Sequence, residues 1–191
     1  MKQGRKIDRN YQNPIDNYII DFVEFMNPYF KKLKFTPNIL TTLSLLFSVL
    51  GLWLYTKKYV ITGILLFIIG YFFDCADGNF ARTYNMETKF GDYYDHISDF
   101  SKLVLLIIVL FFHINISLKI KIIIFFIFSS LFIPHLIFFG CSEKIYNSNE
   151  LMSYFSFLCK DVEKIHFYKY FGSATMTLLS CLMLFVLSYY N

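Results

Sequence analysis

The sequence predicts an all-α integral membrane protein, a polytopic helical bundle with an amphipathic helix at its N-terminal surface. Three observations carry that expectation. The 191 residues are 56% hydrophobic and 21% aromatic, with a mean hydropathy of +0.48. A soluble domain of this length could not hide so much apolar surface, whereas a bilayer accepts it. Five apolar stretches, 39–56, 60–73, 103–118, 122–140 and 170–190, recur along the chain. Ahead of them, 12–34 mixes Asp16, Asp21 and Glu24 with large apolar residues and is too charged to cross hydrocarbon.

The elements follow in order. Residues 1–11 are polar and read as a mobile N-terminus. Asn13-Pro14 is a helix start, with Asn as N-cap and Pro at the first helical position. Ile15, Ile19, Phe22, Val23, Phe25, Met26 and Phe30 then give 12–34 an imperfect apolar face. This juxtamembrane helix lies on the membrane, packs on the bundle, or does both. Residues 36–191 form the transmembrane domain. A crossing helix needs about 20 residues. Segments 60–73 and 103–118 reach that length only if the polar ends around Asp74–Asp77 and Asp95–Asp99 join them. Those ends would then face one another as a hydrated site screened from lipid. Pro134 predicts a kink in the fourth span.

Charge placement says more than the net charge of +4. Lys2, Arg5, Lys6, Arg9, Lys31, Lys32 and Lys34 crowd the N-terminal region. No soluble basic domain follows, so nucleic acid is excluded as a partner and anionic membrane headgroups are expected. With the N-terminus in the cytoplasm, that side also holds Arg82, Lys89, Lys144, Lys160, Lys164 and Lys169, against Lys57, Lys58, Lys119 and Lys121 opposite. The bias orients a multi-pass protein with its acidic site toward the cytoplasm. The membrane would be the endoplasmic reticulum in a eukaryote or the inner membrane in a bacterium. Cys75, Cys141, Cys159 and Cys181 are scattered without a Cys-x2-Cys pair, so reduced apolar side chains are expected.

Functional chemistry concentrates in one window: Asp74, Asp77, Gly78, Ala81, Arg82, Gly91, Asp95 and Asp99. Carboxylates next to hydrocarbon are expensive and are usually paired, hydrated or metal-bound. Asp74 and Asp77 share one helix face, and Asp95 and Asp99 share another. Gly78, Ala81 and Gly91 would let two backbones, or a backbone and a ligand, come close. The reading is therefore two tightly packed helices, each presenting two acids. Such an oxygen-rich set favours Mg2+ or Mn2+, and two such ions can clamp a phosphoryl displacement. Arg82 offers a fork of donors to a phosphate.

The spacing D-x2-D-G-x2-A-R-x8-G-x3-D-x3-D, from Asp74 to Asp99, resembles the signature of the CDP-alcohol phosphotransferases, the class I CDP-alcohol phosphatidyltransferase family. Thr36-Pro37-Asn38-Ile39-Leu40-Thr41 resembles the element that opens that family's first span. The resemblance implies a phospholipid-synthesising transferase that releases CMP from a CDP-alcohol. It implies that Asp74, Asp77 and Asp95 hold the metals. Asp99, also within metal reach, would be general base on the acceptor hydroxyl. Gly78, Ala81 and Arg82 would line the CDP pocket, with Asn38 contacting the nucleotide or serving only as a helix N-cap. The family usually has six spans against the five counted here, and a sixth could hide near Leu151–Cys159.

His96, directly after Asp95, resembles the Asp-His pair of the choline and ethanolamine phosphotransferases. The donor is thus CDP-choline or CDP-ethanolamine with diacylglycerol as acceptor, or CDP-diacylglycerol with a small polar alcohol. Membrane lipids are partners throughout, and a homodimer is compatible with the chain. Asp92 reads as a solvated loop acid, and Lys102 as a cation that could pair with an Asp. The non-enzyme alternative is an ion-binding transporter. It predicts acids near mid-membrane and gives no reason for Gly78, Ala81 and Arg82 at fixed offsets.

Overall fold

The computed structural model describes residues 4–146 and 151–190. Helix α1 (Pro14–Lys32) opens where the sequence places it: the Asn13 side chain accepts from the Ile15 and Asp16 amides, with Pro14 behind it. It has apolar residues on both faces. The face toward the bundle buries Asp16, Asn17 and Asn27 beside Val23 and Phe30, and Asn27 donates to Asn79 at 2.8 Å. The outer face exposes Tyr18, Phe22, Phe25 and Tyr29. An outward aromatic stripe suits lipid, and the buried amides suit a protein partner that satisfies them.

Helices α2 (Pro37–Thr56) and α3 (Val60–Thr83) form the closest pair in the fold. Thr36 caps α2 by accepting from the Ile39 amide. A Cβ added at Gly51 would lie 2.6 Å from the Gly63 carbonyl oxygen, and one at Gly63 would lie 2.6 Å from that of Gly51. Two turns further along α3, Gly70 lies against Ser48 and the Ser44 carbonyl. These glycines bring the two backbones together, a role the sequence reading gave to Gly78, Ala81 and Gly91.

Helix α4 (Lys89–Ile108) is capped by Thr88 and runs on through a π turn, Val109–His113. With their polar ends included, α3 has 24 residues and the α4 segment 25, enough to cross a bilayer. However, α4 packs on α2 rather than tightly on α3. The two acid-bearing helices therefore face each other across a gap. The reason is physical: the glycine stripe commits α3 to α2, and four carboxylates repel at close range.

Helix α5 (Leu118–Tyr146) continues through Pro134 as one 29-residue element. Short helical turns, among them α6 (Ile165–Tyr168), lead into α7 (Ser173–Ser188). Among the described residues five helices are long and apolar enough to span, the last running over Val162–Ser188. The region where a sixth could hide holds instead a 3-10 helix, Leu151–Leu158, folded against α5. Eight residues of 3-10 helix rise only about 16 Å and cannot cross hydrocarbon.

Two sequence expectations meet a different arrangement. Cys141 and Cys159 are joined as a disulfide, not reduced and separate. The packing of the 3-10 helix Leu151–Leu158 against α5 brings them together, which their 18-residue separation did not reveal. Residues 4–12, read as mobile and polar, pack as a strap against α1, α3 and α5. Ile7 is buried, Arg5 pairs with Asp21 at 2.6 Å, Arg9 pairs with Asp21 at 2.8 Å, and Lys6 pairs with Glu143 at 2.6 Å. These basic side chains are answered by acids of the protein.

Candidate active site

The acids emerge from the polar ends of α3 and α4, with α2 standing behind both. Asp77 is buried. Its Oδ2 accepts from the Thr41 hydroxyl of α2 at 2.6 Å, and its Oδ1 accepts from the Gly78 amide at 2.5 Å. Asp74 accepts from Ser44 at 3.3 Å and from Lys102 of α4. The same ammonium donates to Ser44 at 3.0 Å and pairs with Asp99 at 2.7 Å. Lys102 thus ties α2, α3 and α4 together through the acids. A carboxylate buried this deeply persists only with such partners.

On α4, one ligand atom each from Asp95, His96 and Asp99 falls within 4.8 Å of the others. His96 was read from the sequence as an accessory; its geometry brings it within metal reach. Its Nε2 lies 3.0 Å from Asp92, one turn back, so Asp92 is a helix residue paired with His96 and not a loop acid. The Nδ1 of His96 is buried without a hydrogen-bond partner. Hard carboxylate oxygens, one imidazole and a gap between α3 and α4 fit a small divalent cation.

The remaining sequence-selected residues gather on one side of the acids. Asn38, Gly78, Ala81 and Arg82 line a polar cavity of about 110 Å3 together with Thr41, Asp77 and Asp95. Asn38 is not the N-cap of α2, a position held by Thr36. It sits at the cavity wall, where a Cβ on Gly91 would come 3.3 Å from its side-chain oxygen. A Cβ on Gly78 would come 3.2 Å from both terminal nitrogens of Arg82. Gly78 and Gly91 therefore make room for polar side chains, not for another backbone. Thr41 closes the Thr36–Thr41 element singled out in the sequence but was given no role there, and Ser44 was not singled out, because a hydroxyl in an apolar span shows no role until its partner helix is known.

Two further cavities meet the acids. One, of about 560 Å3, is predominantly apolar, walled by Phe128, Phe132 and Phe139 of α5, Leu103 and Leu106 of α4, and Met176 of α7. Asp74, Asp99 and Lys102 stand at its polar part. The other, of about 200 Å3, has a mixed lining, with Gln12, Asp16, Ser142 and Glu143 beside Ile7, Phe138 and Phe139, and touches all four acids. Asp16, outside the spans, has its carboxyl raised to about 6 by burial, against the hydrogen bond from Tyr71.

The family model for CDP-alcohol phosphatidyltransferase matches residues 34–189. The chain belongs to this family. The match covers every acid of the cluster and continues through α7, well beyond the motif. No curated protein and no solved structure matches the chain. Membership implies a transferase of phosphate-linked groups from CDP-alcohols, and the family is one that uses divalent metal ions. Its apolar helices are those of an integral membrane protein.

Proposed function

We propose that this protein transfers a substituted phosphate from a CDP-alcohol to an acceptor hydroxyl, with release of CMP, at the acids of α3 and α4. The observation that carries the reading is the meeting of three cavities of different character at those acids. Asn38, Gly78, Ala81 and Arg82 bind the CDP part. Asp74, Asp77 and Asp95 hold two Mg2+ or Mn2+ ions, with Asp99 at the edge of the set. When bound, the ions neutralise the pyrophosphate and polarise the phosphorus under attack.

The protein's own groups do the rest. Thr41 fixes the Asp77 carboxylate, and Arg82 adds a fork of N–H donors to a phosphate. Asp99 accepts the proton of the acceptor hydroxyl. The new bond forms between that oxygen and the β-phosphorus. The bond from the β-phosphorus to the oxygen bridging to CMP breaks, and CMP departs with that oxygen.

The apolar cavity supports a lipid partner, and Asp99 stands in its wall. A lipid hydroxyl arriving from that side meets the base first. This favours diacylglycerol as acceptor with CDP-choline or CDP-ethanolamine as donor, in line with the Asp95-His96 pair. The polar side chains of Gln12, Ser142 and Glu143 in the cavity of about 200 Å3 support a second reading, in which a small polar alcohol is acceptor and CDP-diacylglycerol is donor. A membrane assay across both donor classes and a panel of acceptors, following CMP and the lipid product, separates them. CMP release from no CDP-alcohol in the panel would refute the proposal. The site opens toward the cytoplasm in this reading, as the loop charges indicate.

A further inference from the structure

The family match begins at residue 34, yet the strap formed by residues 4–12 walls the same acids. We propose that the strap is a working part of the donor site: Lys6 contacts the pyrophosphate of the CDP-alcohol, and Gly4 holds Arg82 in place to do likewise. The inference rests on the donor reading above.

Among the described residues, Lys6 and Arg82 are the two Lys or Arg side chains lining the nucleotide cavity, which also exposes Asp77, Glu87, Asp92 and Asp95. A pyrophosphate entering that acidic wall needs cations on its far side as well as metal. Lys6 is placed for this. Its side chain is 26% exposed, while the Glu143 it pairs with at 2.6 Å is fully buried. An ammonium carries three donors, so it can keep Glu143 and still turn a proton toward a phosphate oxygen.

Arg82 is oriented from the strap as well. Its Nε donates to the Gly4 carbonyl at 3.0 Å, and the same carbonyl accepts from Asn79 at 2.9 Å. A Cβ on Gly4 would collide with Thr83 and come 2.6 Å from Asn79, so only glycine lets the strap approach this closely. Next along, Arg5 is anchored by Asn17 at 2.8 Å and by Asp21. A strap held at so many points presents its lysine with little freedom left to lose on binding.

The test compares Lys6→Met, Glu143→Gln and the double variant in the full chain purified in detergent with Mn2+. Both single changes break the same ion pair, but only the first removes the ammonium. CDP and cytidine binding are measured by calorimetry, and KM is measured for donor and acceptor separately. Lys6→Met is expected to weaken CDP binding and raise the donor KM by about tenfold, the equivalent of roughly 1.4 kcal/mol. Cytidine binding and the acceptor KM should not move. Glu143→Gln should leave CDP binding and the donor KM near wild type. The double variant, which buries no unpaired carboxylate, should keep the CDP defect. Restored CDP affinity in the double variant, or equal losses in the two single variants, would show a structural tie and overturn the inference alone. Failure of the wild-type protein to bind CDP would overturn the donor reading with it.

Discussion

Changing Asp99 to Asn separates the base from the ligands among four neighbouring acids. Asp99 is the more open end of the Lys102 bridge, its side chain 42% exposed against 21% for Asp74. Asparagine has nearly the same shape and keeps an oxygen that accepts from Lys102. Lys102 also retains Asp74 and Ser44. What the fold loses is one half-exposed ion pair, about 1 kcal/mol or less. What the reaction loses is the acceptor of the hydroxyl proton, which typically supplies about 10²- to 10⁴-fold in rate. That is roughly 3–5 kcal/mol of barrier. Asp99→Asn should therefore reduce the CMP release rate by about 10²- to 10⁴-fold while CDP-alcohol binding changes by no more than about threefold. Turnover is followed by CMP release with Mg2+, and binding by calorimetry. Normal turnover would remove Asp99 as base. A collapse of binding as severe as that of Asp77→Asn would make it a principal ligand instead. A pH–rate profile alone cannot decide, because acids this close titrate together.

Further outcomes are expected. Excess chelator should abolish CMP release and added Mg2+ or Mn2+ should restore it; undiminished release would exclude a metal requirement. Thr41→Val deletes a hydrogen bond to a buried carboxylate and should weaken Mn2+ binding by about 10- to 100-fold, measured by calorimetry, with an unchanged affinity counting against the role of Thr41. Gly63→Leu forces a side chain into the Gly51 backbone and should lower stability by about 1–3 kcal/mol or more in thermal unfolding. An unshifted midpoint would mean that α2 and α3 are not tightly packed. The raised Asp16 carboxyl favours the protonated folded form. Its contribution is full below the ordinary value of 3.8 and fades as pH rises through about 6. The amount is on the order of 3 kcal/mol. Asp16→Asn should thus lose less stability than wild type between pH 5 and pH 8, and an identical pH dependence would refute that linkage.

Much of this was legible in the sequence because the signals were local. Asn13-Pro14 announces a helix wherever it stands. Four acids at helix spacing beside hydrocarbon are costly enough to mark a site without any partner in view. What stayed hidden depends on which helix lies beside which. Gly51, Gly63 and Gly70 look like ordinary span residues until α2 and α3 are superposed, and so do Thr41 and Ser44. Lys6 sits in a short polar stretch without periodicity, so nothing local distinguishes a lysine that lines a cavity from a solvated one. The carboxylate gap between α3 and α4 was misjudged because face-sharing on one helix says nothing about the distance to the next.

The three cavities have a consequence for traffic. In the proposed reaction a water-soluble nucleotide and a membrane lipid are made in the same step, and each has a cavity of its own at the acids: one beside Lys6 of the strap, the other among the phenylalanines of α5. Crowding of the bilayer and build-up of CMP would therefore slow the enzyme as two separate brakes, each felt at its own doorway.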